Sequence, residues 1–206
     1  LNAINQWYPS VVYFRSAYYF LGLNMFAKRF PIVAEINTLD LAEYKITLSY
    51  PEYIYYRMTR RRLFACYRGI VCVTNELMQH HSAFGKPVAV IANGIDLANY
   101  APLPPTNNKA PRFIFLGTPG HAWHGVEKIL TLAELCPDFT FDIVGYGIND
   151  IHGTVPPNVN CYGYLKEEQY QDILSQADVG LGSLSLHVNN TNEACVLKVR
   201  EYLAYG

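Results

Sequence analysis

Short runs of apolar and β-branched residues alternate along the chain with stretches of helical periodicity. That alternation predicts an α/β protein built on parallel sheets. Residues 11–14 read as a strand, 17–29 as an apolar helix and 32–36 as a second strand that ends in the polar cluster Asn37-Thr38-Leu39-Asp40. Pro51 suits a first helical turn, so 52–68 reads as a helix rich in arginine. A buried strand at 70–73 follows, and Thr74 is placed to cap a helix over 75–83. A strand at 88–91 closes on the Asn93-Gly94 turn.

Residues 102–111 break the pattern with Pro102, Pro104, Pro105 and Pro111, the composition of an extended linker. We therefore expect domains at 1–101 and 112–206 with 102–111 between them. The second begins with a strand at 113–116 and the loop Gly117-Thr118-Pro119-Gly120. Val126, Ile129, Leu130 and Ala133 fall on one helical face. A strand at 139–144 leads into Gly145-Tyr146-Gly147, and another strand is expected at 159–162. Tyr170, Ile173, Leu174 and Ala177 mark another helix; a strand at 178–181 and a helix over 193–205 complete the reading.

The 206 residues are 50% hydrophobic and 16% charged, enough to bury a core and too apolar for a disordered tail. Sixteen Lys and Arg against seventeen Asp and Glu give a net charge of −1, so bulk charge does not point to nucleic acid. The five cysteines include no CxxC pair and read as buried free thiols in a reducing, cytoplasmic setting. No apolar run approaches the roughly 20 residues of a membrane span, and no signal peptide is visible. Leu1 and Gly206 at the two ends make the chain look like an internal fragment.

Two features carry candidate chemistry. The Gly117–Gly120 loop leaves a strand at the edge where α/β sheets bind ligands, and glycine lets a backbone approach a phosphate. It matches neither GxGxxG nor GxxxxGK[ST], and taken alone the loop reads as an ordinary strand-to-helix turn. Glu193 and Glu201 form an E-x7-E pair. On a helix they would stand about 12 Å apart along the axis, too far to share a proton or a metal. They could hold two hydroxyl-bearing groups of a long ligand, or simply be solvated.

Taken together, the pieces resemble GT-B glycosyltransferases of the family 4 type. The run from Glu193 through Glu201 to Gly206 resembles the signature helix of that family. Val90-Ile91-Ala92-Asn93-Gly94-Ile95-Asp96 resembles its IxNGID turn, and Cys72-Val73-Thr74-Asn75-Glu76 its vTnE stretch. Gly117 with Trp123-His124-Gly125-Val126 resembles the G…KG loop, and Gly145-Tyr146-Gly147 the VGxG turn. The pieces keep the family's order over residues 70–206. The resemblance implies a GT-B fold: two Rossmann-like parallel-sheet domains facing a cleft, both incomplete in this chain. It also implies retaining sugar transfer from a nucleotide-sugar donor to a glycan, lipid-linked or other small acceptor, with no metal and no other cofactor. Carried over, Glu201 would accept from ribose hydroxyls and Glu193 would hold the transferred sugar. Gly117 and Thr118 would face the diphosphate; Tyr146, Gly147 and Leu165 would lie near the base.

Thr118 and His124 depart from the family, which often places Arg and Lys there. A lost cation matters because stabilising a departing charge is a large catalytic effect. Lys198 is the substitute we expect, with protonated His124 and Arg200 as further candidates. The departures equally suit a degenerate relative that binds a nucleotide sugar without turnover, and a GT-B epimerase is a third reading. Glu35 and Asn37 end a strand where acceptors sit in this fold, and a capped turn explains them equally. His121 contacts ligand or solvent. His80 and His81 are expected at the surface rather than as a metal pair. Arg57, Arg60, Arg61 and Arg62 form a basic cluster, either a solvated face or a dock for an anionic membrane.

Overall fold

A computed structural model describes residues 6–206. Its contacts divide the chain into two units. The first comprises the described residues up to Asn93 together with Asn189–Cys195; the second comprises Gly94–Val188 with Val196–Gly206.

Unit 1 is a parallel sheet in the order β1 (Val12–Arg15), β2 (Ile32–Ile36), β3 (Gly69–Cys72), β4 (Val88–Val90). Ile32, Ala34 and Ile36 alternate into the core and meet Ile70, Cys72, Tyr56, Leu63, Phe64 and Leu77. The expected 17–29 helix is shortened to α1 (Leu23–Arg29), because Gly22 sits at φ +97° and breaks any helix before it. The polar cluster after β2 opens into α2 (Asp40–Thr47), which the sequence reading did not anticipate. Next comes α3 (Tyr50–Ala65), whose first turn is closed by Glu52 accepting the backbone N–H (3.0 Å) and the hydroxyl of Ser49. Thr74 caps α4 (Asn75–His81) as expected, accepting from the Leu77 N–H at 3.2 Å.

Unit 1 is locked from within by Asp40. Its carboxylate accepts from Arg60 Nη2 (2.8 Å) and Nε and from the Tyr56 hydroxyl, with His81 Nε2 at 3.4 Å. Two expectations are corrected here. His81 is fully buried rather than at the surface, stacked on Phe64 and bonded through Nδ1 to the Leu77 carbonyl. Arg60 is withdrawn from the basic cluster into this ion pair, over the rings of Phe64 and Phe84. All five cysteines are free thiols.

Unit 2 has the order β7-β6-β5-β8, all parallel: β5 (Arg112–Leu116), β6 (Thr140–Val144), β7 (Val159–Cys161) and β8 (Val179–Gly180). Its helices are α5 (Val126–Leu135), α6 (Glu167–Leu174) and α7 (Leu197–Tyr205). The proline-rich stretch contains no helix or strand and is tied along this unit. Leu103 N–H donates to the Tyr205 carbonyl (2.7 Å), and Thr106 and Asn108 bond to Asp178. Among the described residues no helix is long and apolar enough to cross a membrane.

Burial alone would raise the Asp40 carboxyl, but Arg60, His81 and Tyr56 hold it well below the ordinary carboxylate range. Its contribution to stability is therefore complete above the unfolded value of about 4 and is lost as pH falls below that. Asp40→Asn should cost roughly 3–5 kcal/mol at pH 7, the cost of breaking a buried pair. In urea unfolding, the gap between wild type and variant should narrow below about pH 4.

Candidate functional site in the second unit

In unit 2 the chain winds from β5 to β6 on one side and returns as β8 on the other. The winding direction thus reverses at β5, and loops beyond the carboxyl ends of such strands frame a crevice. Two glycines shape it. A Cβ on Gly117 would meet the Phe115 ring at 2.4 Å and Tyr146 at 2.9 Å. A Cβ on Gly145, which has φ +94°, would lie 1.8 Å from the Gly117 carbonyl oxygen. Glycine at 145 lets the ends of β5 and β6 press together backbone to backbone, and glycine at 117 leaves room for the Phe115 and Tyr146 rings. The Gly117 N–H donates to the Val144 carbonyl at 3.0 Å, and the Gly145 N–H to the Gly163 carbonyl at 2.7 Å.

Below this contact runs a chain of hydrogen bonds. The Tyr146 hydroxyl donates to the Thr118 carbonyl at 2.7 Å. Its proton is then committed, so His124 must donate to it from Nδ1, at 2.9 Å. Burial, with Lys198 and His121 adding to it, pushes the His124 imidazole down to about 3. The ring is neutral with its proton on Nδ1, which corrects the expectation that a protonated His124 supplies charge. Tyr146 is buried as well, and burial pushes its phenol up to about 12. Its side chain supports the Thr118 loop from beneath instead of presenting a face for a base.

Helix α7 lies across the carboxyl edge. Lys198, Glu201, Tyr202 and Tyr205 sit at helical positions i, i+3, i+4 and i+7, one face of α7. Tyr202 accepts the Leu116 N–H at 2.9 Å, and its ring packs so tightly on Gly180 that a Cβ there would lie 2.4 Å away. Lys198 Nζ is buried 3.9 Å from the centre of the Phe115 ring, with no hydrogen-bond partner. Burial pushes its amine down to about 7. His121 Nδ1 and Ser183 Oγ, in the loops after β5 and β8, are likewise buried without a partner. Glu201 is half-buried and accepts from the Tyr170 hydroxyl at 2.8 Å; burial raises its carboxyl while this bond opposes the rise. Leu165 packs into the same cluster as Tyr170, and Gly147 N–H donates to Asp150 at 2.8 Å.

Glycosyltransferase Family 4, as a family model, matches residues 1–99. A glycosyltransferase from Rickettsia africae is similar in structure, with 14% identity and a TM-score of 0.57, over 90% of this chain and 54% of that one. Sucrose-phosphate synthase from Thermosynechococcus elongatus is similar at 14% identity and a TM-score of 0.55, over 74% of this chain and 44% of that one. These likenesses show the GT-B fold, and the chain spans about half the length of the two structures. No curated protein matches the sequence significantly.

The E-x7-E pair is not carried on one helix, contrary to expectation. Helix α7 begins at Leu197, and Glu193 belongs to the segment that returns to unit 1. There its Oε2 accepts the Glu76 N–H at 3.1 Å, while the Glu76 carboxylate accepts the N–H groups of Asn192 and Glu193, both at 2.9 Å. Those donors hold the Glu76 carboxyl below its ordinary value, although burial alone would raise it. The Cys195 carbonyl, which a longer helix would need as an acceptor, is taken by Asn93 Nδ2 at 2.6 Å. The backbone at Val196 is extended as a result.

Also in unit 1, a cavity of about 40 Å³ at the end of β2 is lined by Arg15, Ser16, Glu35, Asn37, Glu43 and Tyr44. Glu35 accepts from the Tyr13 hydroxyl at 2.6 Å, and Asn37 Oδ1 is buried without a partner. Among the described residues, no group of three His, Cys, Asp or Glu side chains is placed to hold a metal ion.

Sequence reasoning missed Tyr170, Tyr202, Gly180 and Ser183, which are unremarkable in type and meet only through the fold. The signal available for Tyr202 was its place four residues after Lys198. Gly145→Ala should destabilise unit 2 by at least about 1–3 kcal/mol, because it forces a side chain into a left-handed backbone and onto a carbonyl. Amide hydrogen exchange at the ends of β5 and β6 should report the loss. Wild-type protection in this variant would refute the close approach.

Proposed function

We propose that this chain is the donor-binding and part of the acceptor-binding portion of a retaining glycosyltransferase that uses a nucleotide sugar and needs no metal. One observation supports this most. Lys198 Nζ, His121 Nδ1 and Ser183 Oγ are all buried, all without a partner and all on elements at the carboxyl edge of β5 and β8. Buried polar atoms without partners are rare, because each costs the desolvation of its group. A diphosphate offers acceptors for just such groups. In this reading the backbone of Gly117 and Thr118 faces the diphosphate, and Lys198 neutralises the charge that builds as the glycosidic bond breaks. Tyr146 and His124 hold the Thr118 loop in place. Glu201 accepts from ribose hydroxyls, Gly147 and Leu165 border the base, and Glu193 holds the transferred sugar. Glu35 and Asn37 lie on the acceptor side, for a glycan or lipid-linked hydroxyl.

Glu201→Gln keeps the shape and removes the charge. Donor affinity should fall by about 1.5–3 kcal/mol, the range for a hydrogen bond to a charged group. Calorimetry against a panel of nucleotide sugars checks this; unchanged affinity would place Glu201 outside the donor site. Release of free nucleotide from the bound donor would mark turnover. Binding without such release would favour a sugar-nucleotide binding module, the reading that Thr118 and the neutral His124 support.

We also propose a cytoplasmic protein whose unit 1 rests on an anionic membrane face. The loop before α1 lies against α3, where the Tyr55 hydroxyl donates to the Tyr19 carbonyl at 2.8 Å. Leu21 (93% exposed), Met25 (74%) and Met58 (76%) stand out from these elements. Lys28, Arg57, Arg61 and Arg62 are exposed on the same elements, and no Asp or Glu occurs over 15–34 or 53–75. Apolar side chains within a carboxylate-free basic field suit acidic headgroups. Arg61→Glu with Arg62→Glu should weaken co-sedimentation with phosphatidylglycerol vesicles at least about tenfold, since each basic residue near such a surface contributes roughly 1 kcal/mol. Equal sedimentation of wild type with neutral vesicles would argue against the charge component.

A further inference from the structure

We propose that the donor site takes up one proton when a nucleotide sugar binds, and that the Lys198 amine receives it. The inference rests on the donor-site reading above and adds a regulatory property to it: donor affinity is tied to pH near neutrality.

The geometry around Lys198 leaves its amine without compensation. From β5 it meets the face of Phe115, with Nζ 3.9 Å from the ring centre. The loop after β5 carries two imidazoles. His124 is neutral and feels the lysine charge, and its Nδ1 proton is committed to Tyr146. His121 meets His124 edge-on, with ring centres 5.2 Å apart, and its Nδ1 has no partner. In the loop after β8 the Ser183 hydroxyl is likewise buried and unpartnered. The nearest carboxylate on α7 itself is Glu201, one turn further on and bonded to Tyr170. Arg200 lies two positions along, on another side of the helix. On α5, Glu127 accepts from Ser185 (3.0 Å) and Lys128 donates to the Leu184 carbonyl (2.7 Å), so both are engaged elsewhere.

An ammonium in such a place has lost water and gained only an aromatic face. Burial alone accounts for its descent to about 7. A diphosphate next to Nζ reverses the balance, because an opposite charge within a few ångström favours the protonated form. The empty site therefore holds a partly neutral amine and the filled site an ammonium. The difference is a proton drawn from solvent. The same two states account for the unpartnered Nζ: it is dry and close to neutral until its anion arrives.

Calorimetry of the full chain tests this, with UDP-glucose, UDP-N-acetylglucosamine, GDP-mannose and ADP-glucose as probes. Their diphosphates are doubly esterified and do not titrate between pH 6 and 8, so any proton belongs to the protein. Binding heats in buffers of different ionisation enthalpy give the number taken up. The wild type should take up about 0.9 proton at pH 8 and about 0.1 at pH 6, and affinity should weaken up to tenfold per pH unit above 7. Lys198→Met should abolish the uptake and weaken binding. Lys198→Arg, which cannot deprotonate, should bind with no uptake and a flat pH profile.

Binding by the wild type with no buffer dependence overturns the proton coupling and leaves the donor-site reading intact. Uptake that survives in both variants assigns the proton to another group and overturns the role of Lys198. No binding by any of the four probes overturns the donor-site reading along with the coupling. If neither variant folds, NMR of 13C-dimethylated lysines in the wild type decides. One resonance should titrate near pH 7 without ligand and well above 8 with it; a Lys198 signal that titrates near 10 in both states overturns the proposal.

Discussion

The second unit depends on a single close approach, in which the backbone of Gly145 lies against the carbonyl of Gly117. A side chain at Gly145 would push the ends of β5 and β6 apart, and one at Gly117 would strike the rings of Phe115 and Tyr146. Because the strand ends touch, Tyr146 is carried beneath the Gly117–Gly120 loop, where its hydroxyl meets the Thr118 carbonyl. That bond in turn fixes the proton on Nδ1 of His124. Phe115, held under the same contact, becomes the surface on which Lys198 rests. A backbone contact with no chemistry of its own thus sets the tautomer of one candidate group and the surroundings of another.

The two units bury charge with opposite results. Asp40 is enclosed, yet a guanidinium, a phenol and an imidazole surround its carboxylate, and these donors outweigh burial. The Lys198 Nζ is enclosed too, but it meets a ring face and the field of a neutral His124, so burial prevails. A buried charge is tolerable when its hydrogen-bonding capacity is filled and costly when it is not. The first arrangement suits a structural clasp. The second is poised for a ligand that supplies the missing charge.

Glu193 and Glu76 show how a motif can be readable and its geometry not. The E-x7-E spacing was visible, and so was the family resemblance. Whether eight residues span two turns of one helix depends on who accepts and donates the backbone hydrogen bonds. Here Glu76 takes the N–H groups of Asn192 and Glu193, and Asn93 takes the Cys195 carbonyl. Partners more than 100 residues away in sequence therefore decide where α7 starts.

Much of the fold was legible because its signals are local. Strand and helix periodicities lie within a few residues of each other. Thr74 as a cap and the proline-rich stretch likewise need no knowledge of distant contacts. Gly22 was equally local, but its left-handed backbone is a choice glycine permits and does not announce. The site was legible in part. Gly117, Lys198 and Glu201 were singled out by sequence, while the burial that makes His81 a core residue, His124 neutral and Lys198 readily deprotonated was not. Burial and charge coupling are properties of neighbours brought together from several elements, and a linear pattern does not contain their distances. The sequence by itself determined the alternating elements, the parallel sheets and the residue types available for chemistry. Tertiary structure alone decided their protonation, their partners and the unit to which Glu193 belongs, since electrostatic energy depends on separation in space and on exclusion of water.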